Sequence, residues 1–165
     1  ELICKTNISM NDIRDIMEIE LCEGLSYYRS LLCLAKKNNP YALYKLAQME
    51  YLGEVTGHKN IEKCLNYLKQ ASLFNHPASL WMIAHLMLKG EISSEIDYQL
   101  VWEYLEKAIN KGDTESRYLF ATMCLSNDFQ TILPDKVMRG MSYMEQAAMD
   151  KFQPAIDFYN NREFQ

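Results

Sequence analysis

The stretch Pro40-Tyr41-Ala42-Leu43-Tyr44-Lys45-Leu46-Ala47-Gln48-Met49-Glu50-Tyr51-Leu52-Gly53 returns one fixed step later. Pro40 recurs as Pro77, Tyr44 as Trp81, Ala47 as Ala84 and Gly53 as Gly90, each 37 residues on. The same step carries Trp81 to Tyr118, Ala84 to Ala121 and Gly90 to Asn127, the residue that after Gly best tolerates a left-handed backbone. Self-similarity at such a period marks a solenoid, in which each unit buries its apolar face only by stacking on the next.

Each unit reads as two helices. Pro40 suits a first helical turn, where its missing N–H would have no partner anyway, so helix A is expected from Pro40 to about residue 52. Gly53 can take the positive φ that ends it, and a polar loop over 54–59 leads to Asn60, an N-cap for helix B over 61 to about 74. One period on, Asp97 stands where Asn60 stood. The helix B pattern Tyr67-Leu68-x-x-Ala71 recurs as Tyr104-Leu105-x-x-Ala108 and, after a step of 39, as Tyr143-Met144-x-x-Ala147. The small Ala permits close helix approach while Leu or Met fills the space beside it.

Working outward, the units are expected at 39–75, 76–112 and 113–151, followed by an unpaired capping helix over 153–161 that begins near Pro154. The loop over 127–134 is longer than its counterparts and contains Ile132 and Leu133. Upstream, Ser9-x-x-Asp12 reads as a capping box before Ile13, Ile16, Met17 and Leu21, and Tyr28, Leu31, Leu32 and Ala35 form a second apolar stripe. Residues 1–38 therefore read as a divergent helical pair, ended by Asn38 as Asn75 and Gly112 end the later ones. The expected fold is an all-α, right-handed α-solenoid of stacked antiparallel helix pairs, with about nine helices.

Composition narrows the function. The 165 residues carry a net charge of −5, and Lys36-Lys37 is the only adjacent basic pair, which argues against a direct nucleic-acid groove. No run of about 18 apolar residues is present, so no membrane span is expected. The chain begins at Glu1, which leaves a preceding domain open. The cysteines, Cys4, Cys22, Cys33, Cys64 and Cys124, are odd in number and lack a CxxC pair, so neither a zinc site nor a disulfide framework is expected. Cys64 falls where later helices carry Val101 and Gly140, a packing position. Buried, reduced thiols and a cytoplasmic setting are the expectation.

These residues resemble the Sel1-like repeat, a relative of the tetratricopeptide repeat with a longer loop between its helices. The resemblance rests on Ala42-Leu43-Tyr44-Lys45-Leu46-Ala47 with Gly53, then Lys63-Cys64-Leu65-Asn66-Tyr67-Leu68-Lys69-Gln70-Ala71, with Ala47 and Cys64 departing from the family pattern. Trp81, Ala84, Gly90, Tyr104, Ala108 and Gly112 continue it, as do Tyr118, Phe120, Ala121, Tyr143, Ala147 and Ala148. It covers about 39–161. It implies a scaffold or adaptor that binds other proteins, often in signalling.

In such arrays helix A lines the concave surface. Tyr44, Trp81, Tyr118 and Phe158 share one register and read in two ways: as a ladder of anchors for a peptide, or as aromatic packing between repeats. One turn on lie Gln48, His85 and Thr122, and one turn earlier lie Tyr41, Ala78 and Glu115. Polar residues at one register of an otherwise apolar helix point to a solvated groove, which makes Gln48, His85 and Thr122 the better binding candidates. Tyr41, Tyr44, Gln48, Trp81, His85, Tyr118, Thr122 and Phe158 together form the candidate partner-binding set.

No catalytic pattern accompanies them. His58, His76 and His85 lack metal-ligand spacing. Gly53-Glu54-Val55-Thr56-Gly57-His58-Lys59 has its glycines one residue too close for a phosphate loop, and no Ser or Thr follows Lys59. Glu91, Glu95 and Asp97 read as a polar loop. The reading is a non-catalytic protein- or peptide-binding module without cofactor. The alternative is a regulatory or ligand-sensing domain of a longer protein, and an enzyme with a site in the groove is a third.

Overall fold

The computed structural model describes residues 27–126 and 135–161. The helix expected from Ser9, the long loop over 127–134 and the Asn127 turn lie outside these residues. Among the described residues eight helices follow one another: α1 (Tyr27–Lys36), α2 (Pro40–Leu52), α3 (Ile61–Ser72), α4 (Pro77–Leu88), α5 (Tyr98–Ile109), α6 (Thr114–Leu125), α7 (Lys136–Met149) and α8 (Gln153–Asn160). No strand occurs among the described residues. Consecutive helices pack on each other along the whole series, which gives an all-α repeat solenoid.

Local chemistry places the helix starts. Asn39, Asn60, Asp97 and Asp113 cap α2, α3, α5 and α6, their side chains accepting the N–H of Ala42, Lys63, Leu100 and Ser116 at 2.8–3.0 Å. Pro40 and Pro77 stand in the first turns of α2 and α4, where no helical partner for their nitrogens exists. His76 precedes α4 without capping it through its side chain, and its Nδ1 instead meets the Ser79 hydroxyl at 3.0 Å.

The turns from B to A repeat one device. Asn38, Asn75, Gly112 and Lys151 all take positive φ, at 60°, 52°, 85° and 61°. Helix α3 accordingly stops at Ser72, short of residue 74. The N–H groups of Leu73, Phe74 and Asn75 reach back three residues, to Gln70, Ala71 and Ser72, tightening the chain into the left-handed residue. Lys151 is the exception among these four, because a lysine Cβ crowds the carbonyl in this conformation. Replacing the exposed Lys151 with Gly is expected to stabilise the protein by about 0.5 to 1 kcal/mol, read as a higher denaturant midpoint. A lower midpoint would show that this turn does not strain its side chain.

The core is a chain of linked clusters. Leu31 and Leu34 of α1 meet Ala42 and Leu46 of α2. Ala47 then faces the other way, joining Cys64 and Leu68 of α3 to Met82, Ile83 and Leu86 of α4. Ala84 opens the next cluster with Val101, Trp102, Leu105 and Ile109 of α5 and Phe120, Met123 and Cys124 of α6. Ala121 does the same with Met144 and Ala147 of α7 and Ala155 of α8. Each A helix thus divides its buried side chains between the preceding B helix and its own. Consequently α4 buries six residues and α3 only three. The small residue of each A helix, Ala47, Ala84 or Ala121, is fully enclosed where it meets its own B helix.

At the third pair a glycine lets the helices approach closely. A Cβ built on Gly140 of α7 would lie 2.6 Å from the Cβ of Cys124 in α6, so the two helices pack through the missing side chain. Cys64 and Cys124 are free and buried, as expected, but Cys33 is exposed. It stands on α1 opposite Leu31 and Leu34, and the apolar stripe of that helix does not include it. Burial, with Glu91 adding to it, pushes the Cys64 thiol up to about 11, so this cysteine is held as an unreactive thiol.

Candidate functional site

All eight side chains of the candidate set, Tyr41, Tyr44, Gln48, Trp81, His85, Tyr118, Thr122 and Phe158, are half-buried. For Tyr44, Trp81, Tyr118 and Phe158 the buried part lies against the core clusters, and the remainder faces out.

The aromatic register packs and is open at once. Tyr44 and Trp81 lie against the cluster of α2, α3 and α4, and Trp81 also lies against the next. The Tyr44 ring meets that of His76 at 5.3 Å, tilted by 46°. Tyr118 meets Phe152 at 5.3 Å and Phe158 meets Tyr159 edge-on at 5.5 Å. Burial raises the Tyr44 hydroxyl well above its ordinary range, and the carboxylates of Glu115 and Asp113, at the start of α6, raise it further. The charges of α6 thus act on a side chain of α2, two repeats away in sequence.

The polar register is largely occupied within each helix. Gln48 donates from Nε2 to the Tyr44 hydroxyl at 2.8 Å and accepts from Lys45 Nζ at 3.1 Å through Oε1. Thr122 donates back to the Leu119 carbonyl at 2.8 Å, satisfying its hydroxyl inside α6. His85 is the member with ring nitrogens free of such ties, and it stacks on Trp81 at 5.0 Å, nearly parallel at 11°.

Burial lowers the His85 pKa below its ordinary 6.5, and Lys89 lowers it further against the smaller opposing pull of Glu91. The unfolded chain therefore binds the proton more readily than the folded one. Stability is fully present above about pH 6.5 and declines as the pH falls through the folded value. His85→Gln is expected to flatten that part of the stability profile, measured by denaturant midpoints between pH 7.5 and 5 on the order of half a unit apart. An unchanged slope would place the titration elsewhere.

Two charged residues of α2 were not among the sequence candidates. Lys45 is half-buried on α2, its ammonium 5.7 Å from the Tyr41 ring centroid and 5.9 Å from that of Tyr44. Burial lowers its pKa, with Glu54 pulling the other way. Glu50 is 2% exposed, with Oε1 at 4.0 Å from Lys63 Nζ. Both depart from the repeat: Lys45 falls at the register of Met82 and Leu119, and Glu50 at that of Met87 and Cys124. That departure was the signal available in the sequence.

The loops act as struts. Glu91 ion-pairs with Lys59 and accepts the Tyr51 hydroxyl at 3.1 Å, while Lys59 also lies 4.1 Å over the Tyr51 ring. Glu91 thus ties the first repeat to the second. The loop after Gly53 closes on itself, Gly57 N–H donating to the Gly53 carbonyl at 2.8 Å. Among the described residues, no group of three His, Cys, Asp or Glu side chains is placed to hold a metal ion. No helix of the described residues is long and apolar enough to cross a membrane.

The architecture defines the class: an all-α helical-repeat solenoid. The particular fold is that of Sel1-like repeats. The chain is similar to the Sel1 repeat protein from Oxalobacter formigenes, with a TM-score of 0.68 over 83% of this chain and 99% of that one at 17% identity. It is similar also to c5321, a protective antigen of uropathogenic Escherichia coli with an SLR fold, with a TM-score of 0.68 at 16% identity. That match covers 78% of this chain and 27% of the antigen, so the chain spans about a quarter of that protein. No protein-family model and no curated protein sequence matches.

Proposed function

We infer that the protein is a non-catalytic module that binds a protein or peptide on the concave face formed by α2, α4, α6 and α8. The observation that carries this reading is the repetition of half-buried aromatic and polar side chains at two registers one turn apart, Tyr44, Trp81 and Tyr118 beside Gln48, His85 and Thr122. Rigid aromatic flanks with open edges lose little freedom on binding, which is why such residues dominate interface hot spots. Tyr41 and Phe158 extend the same face at either end. The fold supports the reading, since stacked repeats present a long surface contributed a few side chains at a time. A cytoplasmic scaffold or adaptor in signalling is the setting in which such a module would act.

The alternative, a regulatory or ligand-sensing part of a longer protein, draws on the antigen, in which a solenoid of this extent is only part of the chain. The test is affinity capture from a lysate of the source cell with the wild type and a Gln48→Ala, His85→Ala, Thr122→Ala variant of matched melting temperature. A protein retained by the first and lost by the second is the expected result. Equal retention by both would move the binding surface off this face.

A further inference from the structure

We propose that the α2 end of this face takes the side-chain carboxylate of an acidic peptide segment, seated on Lys45 and the Tyr44 hydroxyl. The proposal rests on the groove reading above and specifies its ligand.

The argument is one of unmatched donors. Among the described residues, Lys59, Lys63, Arg117 and Arg139 each have a carboxylate within 4.0 Å and most other cations are exposed, whereas Lys45 is half-buried with only the Gln48 amide oxygen as its acceptor. Glu54 is the one carboxylate whose field reaches it. A half-buried ammonium near two tyrosine rings, with a carboxylate field acting on it but none in ion-pair contact, is costly to keep, and a carboxylate brought to it recovers part of that cost.

Gln48 sharpens the chemistry. Its Nε2 donates to the Tyr44 oxygen and its Oε1 accepts from Lys45, so it uses an acceptor of the tyrosine and a single proton of the ammonium. The remaining ammonium protons and the tyrosine O–H are donors. Tyr44 keeps that proton chiefly because its burial opposes ionisation; Glu115 and Asp113 oppose it too, and since they also act against an incoming anion, the attraction must come from Lys45. Two adjacent donors without a matching acceptor fit an acceptor-only group with two oxygens, which is a carboxylate. On α4, Trp81, packed against the same cluster as Tyr44 and stacked on His85, offers a flat apolar surface for a further residue of the segment.

The test uses a synthetic library of peptides acetylated and amidated at their ends, so that any carboxylate comes from Asp or Glu. Peptides selected by the wild type are expected to be enriched in Asp or Glu next to an apolar residue and to bind more weakly at higher salt. Lys45→Gln is expected to weaken them about ten-fold or more, Lys45→Arg to retain them, and the exposed-site control Lys36→Gln to leave them unchanged. Should Lys45→Gln melt early, a Glu→Gln change in the peptide reads the same charge on an unaltered protein. Selection without acidic enrichment, or equal binding of the Glu and Gln peptides, would overturn the carboxylate site and leave the groove reading standing. Selection of no peptide at all would overturn both.

Discussion

Phe120→Ala is expected to destabilise the protein by about 3 to 5 kcal/mol, the largest effect of any single truncation here. Phe120 is fully enclosed at the centre of the cluster that joins α4, α5 and α6. Its ring meets Trp102 edge-on at 4.2 Å and Tyr143 at 5.3 Å, so α5 and α7 both rest on it. Arg139, paired with Glu106 at 2.9 Å, lies 5.3 Å above the same ring. Removing the ring leaves a cavity that neighbours on three helices cannot close without separating from one another. Because solenoid stability is a sum over neighbouring interfaces, the loss falls on one stretch of the array. Amide exchange should accelerate in α5, α6 and α7 well before α2 and α3. Uniform acceleration across the chain would mean that the array unfolds as a single unit.

Ala84→Leu tests the opposite failure and is expected to cost about 1 to 3 kcal/mol through overpacking. Ala84 is fully enclosed between α4 and α5, and its counterparts Ala47 and Ala121 are equally enclosed. Three added carbons at this contact must push two helices apart, and α4 cannot yield because its other flank holds Met82, Ile83 and Leu86. Ala78→Leu, on a half-buried position of the same helix, is the control and should change the melting temperature much less. An unchanged melting curve for Ala84→Leu would show that the tight contact between paired helices lies elsewhere.

Much of the architecture was legible because the constraints involved are local. A left-handed residue must end each pair, so Asn38, Asn75 and Gly112 announce their turns by residue type. Lys151 gave no such signal, since lysine has no preference for that backbone region, and only the return of the period marks it. The caps Asn60 and Asp97 were visible for the same local reason. The end of α3 was overestimated by two residues, because apolar Leu73 and Phe74 read as helix while the tight turn into Asn75 uses them. Leu73 stays 80% exposed, which a core-facing residue would not.

The candidate face was legible as a register and less so as chemistry. That Gln48, His85 and Thr122 align follows from helical spacing alone. That Gln48 and Thr122 turn their polar groups back onto Tyr44 and the Leu119 carbonyl, while His85 lies flat on Trp81, does not. Lys45 falls between the aromatic and polar registers, and only the apolar Met82 and Leu119 at its place in later repeats set it apart.

By itself, the sequence determined the period, the order of helices, the turn residues and the alanines at which helices meet, since each depends on neighbours within a few residues or one repeat. Only the tertiary structure decided which groups remain open, because that depends on which side chains successive repeats bring together. Packing of the repeats brings the charges of Glu115 and Asp113 to bear on Tyr44 and lets Glu91 reach Lys59, while Lys45 keeps an amide oxygen as its acceptor. Backbone periodicity is written in local preferences, but charge compensation is a property of the assembled surface.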